Sequence, residues 1–374
     1  MTEAIQAVTM PKWGLAMTEG MVAAWHVEEG SEIAAGDEIL DIETTKITNA
    51  FEAPAAGVLR RQVVAEGETV PVGALLAVVA GADVSDADID AFIADFEANF
   101  DAEAAAAAEG GGPEPDVMDA GGRRLRYLKA GDGDATPALL LHGFGGDFNS
   151  WMFNQPAMAE DRPVFALDLP GHGGSEKEVG PGDVAALAAA ATDFMDAAGI
   201  ERAHMAGHSL GGAVALAIAL DDPTRVASLT LVCPAGLGPD INMDYIEGFI
   251  AAGRRKQLKP VLEQLFADPE LVSRDMMEDI IKYKRLDGAV AALQAIAGAA
   301  FAGGRQATVM SDQVGAVSAP VQVIWGTQDR IVPAAHADSL PAQVEVHRFD
   351  DAGHMVHMEK AAEVNGLLTG FLAE

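Results

Sequence analysis

Apolar and polar positions along the chain follow three successive patterns. Over residues 1 to 80 the apolar positions come in short runs (Met21–Val27, Glu38–Ile42, Gly57–Val64, Leu75–Val79), punctuated by Gly20, Gly30, Gly36, Pro54, Gly67, Pro71 and Gly73. Short runs at regular spacing with turn residues between them predict a small all-β sandwich or barrel. The period then changes. Ile89, Phe92, Ile93, Phe96 and Phe100 recur at three- and four-residue steps, one apolar stripe on a helix. Ser85 followed by Asp88 resembles a capping box at its start. Such a stripe has to be covered, either by one of the chain's own domains or by a partner subunit. Asp101–Asp116 has no periodicity and is an Ala, Glu, Gly and Pro string, which reads as a linker. The whole interval 81–118 holds eleven Asp or Glu and no Lys or Arg.

From 119 to 374 the pattern becomes βα alternation. Strands are predicted at Ala138–Leu141, Val164–Leu167, Ala203–Ala206, Ser228–Val232, Val321–Trp325 and Val344–Phe349. Helices are predicted at Val184–Ala198, Leu210–Leu220, Ala334–Ser339 and Val356–Ala373. Such alternation implies a mostly parallel sheet with helices on both faces. The beat breaks over about 239–306, where the sequence reads as helical throughout, an insertion between two core strands.

Composition narrows the function classes. A chain of 374 residues with 49% hydrophobic content suits two domains with a sizeable core. Lys and Arg number 24 against 57 Asp and Glu, a net charge of −33, which repels nucleic-acid phosphates and anionic lipid. The single cysteine, Cys233, excludes an intrachain disulfide and suits a reducing compartment. No apolar run approaches the ~20 residues of a membrane span and no basic-then-apolar leader is visible, so a cytoplasmic location is expected.

The clearest chemistry lies at Gly207-His208-Ser209-Leu210-Gly211, placed after one predicted strand and opening a predicted helix. That is the context of a nucleophile elbow, which exposes the serine hydroxyl and aims the Leu210 N–H and the helix start at one point. A serine needs a base, and the base an orienting acid. Asp329 follows the strand Val321–Trp325 and His354 follows the strand Val344–Phe349, both in loops at carboxyl ends of strands. Asp350 and Asp351 precede His354 too closely to orient it, and His208, His336, His347 and His357 are read as packing or surface residues. A second oxyanion donor is expected from His142-Gly143-Phe144-Gly145-Gly146, at the Phe144 N–H. No metal is implied.

Together with Asp168-Leu169-Pro170-Gly171-His172-Gly173-Gly174-Ser175, these segments resemble the α/β-hydrolase family over 117–374. The resemblance implies Ser209 as nucleophile, His354 as base and Asp329 as acid, in that family's chain order. It implies Phe144 and Leu210 as oxyanion donors and the helical insertion as a cap, and it makes Asp168–Ser175 mainly a structural turn.

A lysine between β-rich runs is ordinarily a solvated turn residue. Asp41-Ile42-Glu43-Thr44-Thr45-Lys46-Ile47, however, is similar to the modified hairpin of lipoyl domains, with Gly30 sixteen residues before Lys46 and Gly57 eleven after. Pro11-Lys12-Trp13-Gly14, Glu19-Gly20 and Glu52-Ala53-Pro54 extend the likeness over 1–80. Thr45 departs from it, since aspartate is usual there. Biotin carriers flank the lysine with Met on both sides, which Thr45 and Ile47 do not supply, so lipoate is expected on Lys46.

Neither the His-x-x-x-Asp-Gly signature of ordinary lipoyl-linked acyltransferases nor a basic subunit-binding domain occurs. The pairing of a lipoyl-type domain with an α/β-hydrolase-type domain resembles the dihydrolipoyllysine acetyltransferase subunits of acetoin dehydrogenase systems. That implies acetyl transfer from lipoyl-Lys46 to coenzyme A. It also implies partnership with thiamine-diphosphate-dependent dehydrogenase subunits and dihydrolipoamide dehydrogenase. The alternative is a thioesterase or carboxylesterase that a lipoyl domain tethers to a complex. The interval 240–306 carries nine basic and ten acidic residues, nearly neutral on a strongly anionic chain. Its cluster Arg254, Arg255 and Lys256 (Lys282, Lys284 and Arg285 form another) is either a solvated face paired with nearby acids or a contact for coenzyme A phosphates or for the acidic lipoyl-type domain itself.

Overall fold

The protein is described here from a computed structural model over residues 5–11, 17, 19–44, 48–81, 84–100 and 114–372, without the side chains of Asn49, Asn99 and Asp275. Lys46, the Lys12-Trp13-Gly14 segment and residues 101–113 of the predicted linker lie outside the described residues.

The amino-terminal unit contains β1 (Gln6–Thr9), β2 (Glu19–Trp25), β3 (Glu32–Ile33), β4 (Glu38–Glu43), β5 (Thr48–Glu52), β6 (Gly57–Gln62), β7 (Thr69–Pro71) and β8 (Leu75–Ala80). They pair antiparallel into two four-stranded sheets, β1-β8-β6-β3 and β5-β4-β2-β7. Val8, Val22, Leu40, Ile42, Leu59 and Leu76 are fully withdrawn from solvent in their shared core. The hydrophobic pattern locates β2, β4, β6 and β8 but not the others, because β1 (QAVT), β5 (TNAFE) and the very short β3 and β7 carry too few apolar residues to alternate visibly.

Every residue of β8 is buried, since one side of the strand meets the sandwich core and the other meets α1 (Asp86–Asn99). Leu75, Val78 and Ala80 pack with Ile89, against which Phe92, Ile93 and Phe96 also lie. The apolar stripe of α1 is therefore covered by its own domain. The helix begins where the sequence predicts: Ser85 Oγ accepts from Asp88 N at 3.2 Å and donates to Asp88 Oδ2 at 2.6 Å. Arg60 fixes the approach to the helix, donating to the carbonyls of Gly81 and Val84 and to Asp86 at 2.8–2.9 Å.

The second unit is built on an eight-stranded sheet. Its strands are β9 (Asp116–Ala120), β10 (Arg123–Ala130), β11 (Ala138–Leu141), β12 (Val164–Leu167), β13 (Ala203–His208), β14 (Val226–Val232), β15 (Val321–Gly326) and β16 (Glu345–Phe349), in the order β16-β15-β14-β13-β11-β12-β10-β9. The six strands from β11 onward are parallel, as expected. The hairpin β9–β10 is antiparallel and adds an edge that the sequence reading lacks, because its buried positions (Leu125, Leu128, Ala130) alternate with Arg, Lys and Tyr. Asp116, placed at the linker's end, already belongs to β9.

The helices are α2 (Gln155–Met158), α3 (Val184–Ala197), α4 (Leu210–Asp221), then α5 (Met243–Ala251), α6 (Arg255–Leu262), α7 (Arg274–Lys284) and α8 (Ala289–Ala300) between β14 and β15, and finally α9 (Val356–Glu359) and α10 (Ala361–Phe371). Two expectations need correction. The predicted helix Ala334–Ser339 is a 3₁₀ segment, and the single helix predicted over 356–373 is broken at Lys360, whose φ of −127° is not helical. Among the described residues no helix is long and apolar enough to cross a membrane. The chain leaves β11 for β12 on one side and returns for β13 on the other, so the carboxyl ends of β11 and β13 flank a topological switch point, where open α/β sheets gather their ligands.

Because Ile89 is fully buried between α1 and β8, Ile89→Ala should weaken the docking of α1 by roughly 2–5 kcal/mol. Hydrogen exchange of the α1 and β8 amides in the full chain measures it, and unchanged protection would show that the helix is not held by this contact.

Candidate active site

Ser209 lies between β13 and α4 with φ +52° and ψ −117°, a conformation an L-residue adopts only under constraint. The constraint is close backbone packing. A Cβ on Gly207 would come within 2.3 Å of the Gly211 carbonyl oxygen, and one on Gly211 within 2.3 Å of that of Leu141. Only glycine fits at either place. Hydrogen bonds then lock the turn: Ser209 N donates to Val232 O at 3.0 Å, and Ser209 O accepts from Gly212 N and Ala235 N, each at 2.9 Å. Leu210 is the first residue of α4, so its N–H has no intrahelical carbonyl to meet.

The loop after β11 holds Phe144, whose N–H the sequence reading expects as a second donor. Leu169 N donates to His142 Nε2 at 3.0 Å, which leaves the proton on Nδ1, and His142 Nδ1 donates to Gly143 O at 2.8 Å. Gly146 N, at 3.1 Å, holds the same oxygen. In a trans peptide the carbonyl and the following N–H point opposite ways, so pinning Gly143 O turns the Phe144 N–H away from His142. Burial lowers the His142 pKa and keeps the ring in the neutral form this arrangement needs. The Phe144 ring meets Phe249 of α5 and Phe301 beyond α8, at 6.0 and 5.9 Å between centroids. The helical insertion thus packs onto the donor loop. The Asp168–Ser175 turn braces that loop from below: the buried Asp168 carboxylate accepts from Phe148 N, Gly174 N and Arg126 Nε.

Asp329 and His354 come together at the carboxyl ends of β15 and β16. His354 Nδ1 and Asp329 Oδ2 are 2.7 Å apart. Trp325 Nε1 donates to the same oxygen at 3.0 Å, while Ile331 N and Val332 N donate to Oδ1 at 2.8 and 3.0 Å. Trp325, Ile331 and Val332 can only donate, so the carboxylate, its side chain withdrawn from solvent, is an acceptor toward His354 as well. His354 therefore carries its proton on Nδ1 and leaves Nε2 free to accept one.

The surroundings of His354 are aromatic and neutral. His208 donates from Nε2 to His354 O at 3.0 Å, and the rings Trp151, His357, His208 and His354 follow one another at centroid distances of 4.8, 4.6 and 4.7 Å. Burial holds His208 well below the ordinary imidazole range and lowers His357 to about 3, so neither competes with His354 for a proton. His208 is a packing residue of the elbow, as expected, but it also grips the backbone of His354. Cys233, at φ +41°, lies nearby with Sγ 3.8 Å from Gly353 O. Burial pushes its thiol well up, and the Asp329 carboxylate adds to the effect. Cys233, Asp329 and His354 offer ligand atoms within 4.8 Å of one another, yet a protonated thiol beside an engaged Asp–His pair is a poor metal donor set.

Arg254, Arg255 and Lys256 are exposed at the start of α6. Arg255 pairs with Glu278 at 3.0 Å; Arg254 and Lys256 have no ion-pair partner among the described residues. Of the second basic group, Lys284 is withdrawn: its Nζ donates to the carbonyls of Phe249 and Ala252 at the end of α5, and burial lowers its pKa to about 8. Trp325 and the gripping role of His208 were not foreseen. Both residues stand inside motifs the sequence displays, but their partners are distant in the chain.

The arrangement suits nucleophilic acyl transfer: a strained serine turn, a helix-start N–H at Leu210 and an imidazole oriented by Asp329. Comparison with known proteins bears on the chemistry. Residues 136–361 match the alpha/beta hydrolase fold family, and residues 6–79 match the family described as biotin-requiring enzyme. The chain is 50% identical over 368 residues, 98% of either protein, to the dihydrolipoyllysine-residue acetyltransferase component of the acetoin cleaving system of Pseudomonas putida. It is 49% identical, over 96% of either, to the protein of the same name from Cupriavidus necator. A solved meta-cleavage product hydrolase superposes with a TM-score of 0.63 over 68% of this chain and 97% of that one, at 23% identity, a likeness of fold.

Asp329→Asn tests the orienting carboxylate. The Ile331 and Val332 N–H groups cannot cease to be donors, so they hold the amide oxygen and turn NH₂ toward His354, which then loses its acceptor and its tautomer lock. Turnover of an activated acyl ester should fall by roughly 10⁴-fold. A fall of less than tenfold would mean that His354 is oriented by something else.

Proposed function

Because the chain belongs to the family of dihydrolipoyllysine-residue acetyltransferase components of acetoin cleaving systems, a lipoyl-type domain joined to an α/β-hydrolase-fold domain, we propose that it transfers acetyl groups from lipoyl-Lys46 to coenzyme A at Ser209. One observation carries this reading: an elbow serine and a hydrogen-bonded Asp329–His354 pair occur in the same chain as a domain whose business is to carry acyl thioesters. The β4–β5 hairpin suits the attachment. Its last pair, Glu43 with Thr48, leaves residues 44–47 as the connection, and Lys46 is among them. Lipoate bound there supplies a thiol that bears acetyl as a thioester.

The protein's own groups then account for the transfer. His354 Nε2 takes the Ser209 Oγ proton as Oγ adds to the thioester carbonyl. The Phe144 and Leu210 N–H groups receive the oxyanion and Asp329 offsets the charge on the imidazolium. The C–S bond breaks, the departing sulfur takes the proton from His354, and acetyl remains on Ser209. The coenzyme A thiol gives its proton to His354, its sulfur attacks the acetyl-serine, and Oγ recovers the proton as it leaves. Water would compete with the thiol, and the Phe249 and Phe301 rings packed on the Phe144 loop help to exclude it. Arg254 and Lys256, without an ion-pair partner among the described residues of a chain of net charge −33, with Arg255 beside them, are proposed to draw the coenzyme A phosphates toward the insertion. As a component of such a system the chain works with other subunits, proposed to be a thiamine-diphosphate-dependent dehydrogenase and dihydrolipoamide dehydrogenase.

With protein whose Lys46 carries a lipoyl group by mass spectrometry, acetyl-dihydrolipoamide and coenzyme A should give acetyl-CoA, and Ser209→Ala should abolish it. Acetyl-CoA formation by that variant near the wild-type rate would replace the acyl-serine route with direct transfer. Acetate as the sole product with coenzyme A present would make the protein a thioesterase. Charge reversal at Arg254, Arg255 and Lys256 should raise KM for coenzyme A, most at low ionic strength because screening removes the attraction. Wild-type KM at every salt concentration would leave the cluster as a solvated face.

A further inference from the structure

The segment Leu265–Ala267, which follows α6 within the insertion, is bonded directly to the loop that holds His354. Leu265 O accepts from His354 N at 2.8 Å and from Met355 N at 3.1 Å. Arg330 Nη2 reaches Phe266 O at 3.3 Å. Gly353 lies against the same segment so closely that a Cβ there would come within 2.8 Å of Leu265 O, Phe266 C and Ala267 N. One side chain joins the two strips of backbone. Glu359, in α9 and five residues past His354, accepts from Gly353 N through Oε1 and from Ala267 N through Oε2, each at 2.8 Å.

We propose that Glu359 is a positioning residue that couples the helical insertion to His354, so that the base is in its working place only while the segment Leu265–Ala267 is seated. The inference rests on the acyl-transfer reading and adds its control: a displaced insertion disarms the base, instead of leaving an armed acyl-serine open to water. The geometry supports a coupling rather than simple packing. Both carboxylate oxygens are committed, one to each strip, and the His354 amide is committed to the insertion as well. The groups facing Glu359 fit the same role. Burial raises its carboxyl pKa, while the Ala267 and Gly353 N–H groups, Lys360 and His354 favour the ionised, doubly accepting form. Lys360 is itself paired with Asp351 at 2.6 Å.

Glu359→Gln is the informative variant, because its amide must turn NH₂ toward one of the two N–H donors and so releases one strip. In the full-length lipoylated protein, kcat for acetyl transfer should fall up to ~10²-fold, the penalty of misplacing a catalytic group by about 1 Å. KM for coenzyme A should stay within about twofold, and acetate should form a larger share of the product. Wild-type kcat and product ratio in a folded Glu359→Gln protein would overturn the proposal. Should that variant not fold, hydrogen exchange of the unaltered protein decides the matter. The amides of Ala267, Gly353, His354 and Met355 should open together with one protection factor, and Ala267 opening orders of magnitude more readily than His354 would refute the coupling. Hydrolysis of an activated acetyl ester, followed in parallel, separates the two claims. A wild-type protein that cleaves the ester but yields no acetyl-CoA defeats the transfer reading, while Glu359→Gln is then judged on ester kcat alone.

Discussion

The backbone at Ser209 is the constraint from which the rest of the site follows. A serine at φ +52° is unfavourable by itself, of order 1–3 kcal/mol for such a residue, and it persists because the surrounding strands over-determine it. β13 delivers the chain, α4 carries it away, and the two flanking glycines allow carbonyls of Leu141 and Gly211 to approach where no side chain fits. Val232 and Ala235 at the end of β14 bind both sides of the serine peptide. The loop after β11 comes up against it, since a Cβ on Gly143 would lie 3.0 Å from the Ser209 Cβ. His208, the residue before the serine, also holds the carbonyl of His354, so nucleophile and base are tied through the backbone.

Charge is managed around the base by refusing protons everywhere else. Several imidazoles crowd this end of the sheet, and burial keeps His142, His172, His208 and His357 neutral. Protonation at Nε2 would cost His142 the hydrogen bond it accepts from Leu169 N, while His208 and His357 serve through their ring contacts. The carboxylate that orients the base, Asp329, accepts from His354, Trp325, Ile331 and Val332. Burying a charge is costly unless every lone pair is engaged, and here the engagement also fixes the tautomer that catalysis requires.

The small domain illustrates a different economy. A sandwich of short strands has little apolar surface to bury, and β8 gains by being covered on both sides, by the opposing sheet and by α1. The acidic interval that follows β8 is therefore not uniform. Its first half is a docked helix, held at its start by the Ser85 cap and by Arg60.

Much of this was legible in the residues alone. Continuous apolar runs mark strands buried on both faces, so β11 to β15 could be read directly, and the glycine-flanked serine, Asp329 and His354 announce themselves by following such strands. Strands without a continuous apolar run were not legible, since β9 and β10 set their few buried residues among charged ones and β3 and β7 are too short for any period to show. The stripe on α1 was visible in its spacing, but spacing says only that a face must be covered, and the covering residues of β8 had to be seen in place. Hydrogen bonds between segments far apart in the chain belong to the tertiary structure alone. Trp325 to Asp329, His208 to His354, and Glu359 to Ala267 each depend on where loops meet at the end of a sheet, and no local pattern encodes that meeting. Sequence determines which groups are available and which surfaces must be buried; packing of the strands decides which of those groups come within 3 Å of one another, and with that which proton each one holds.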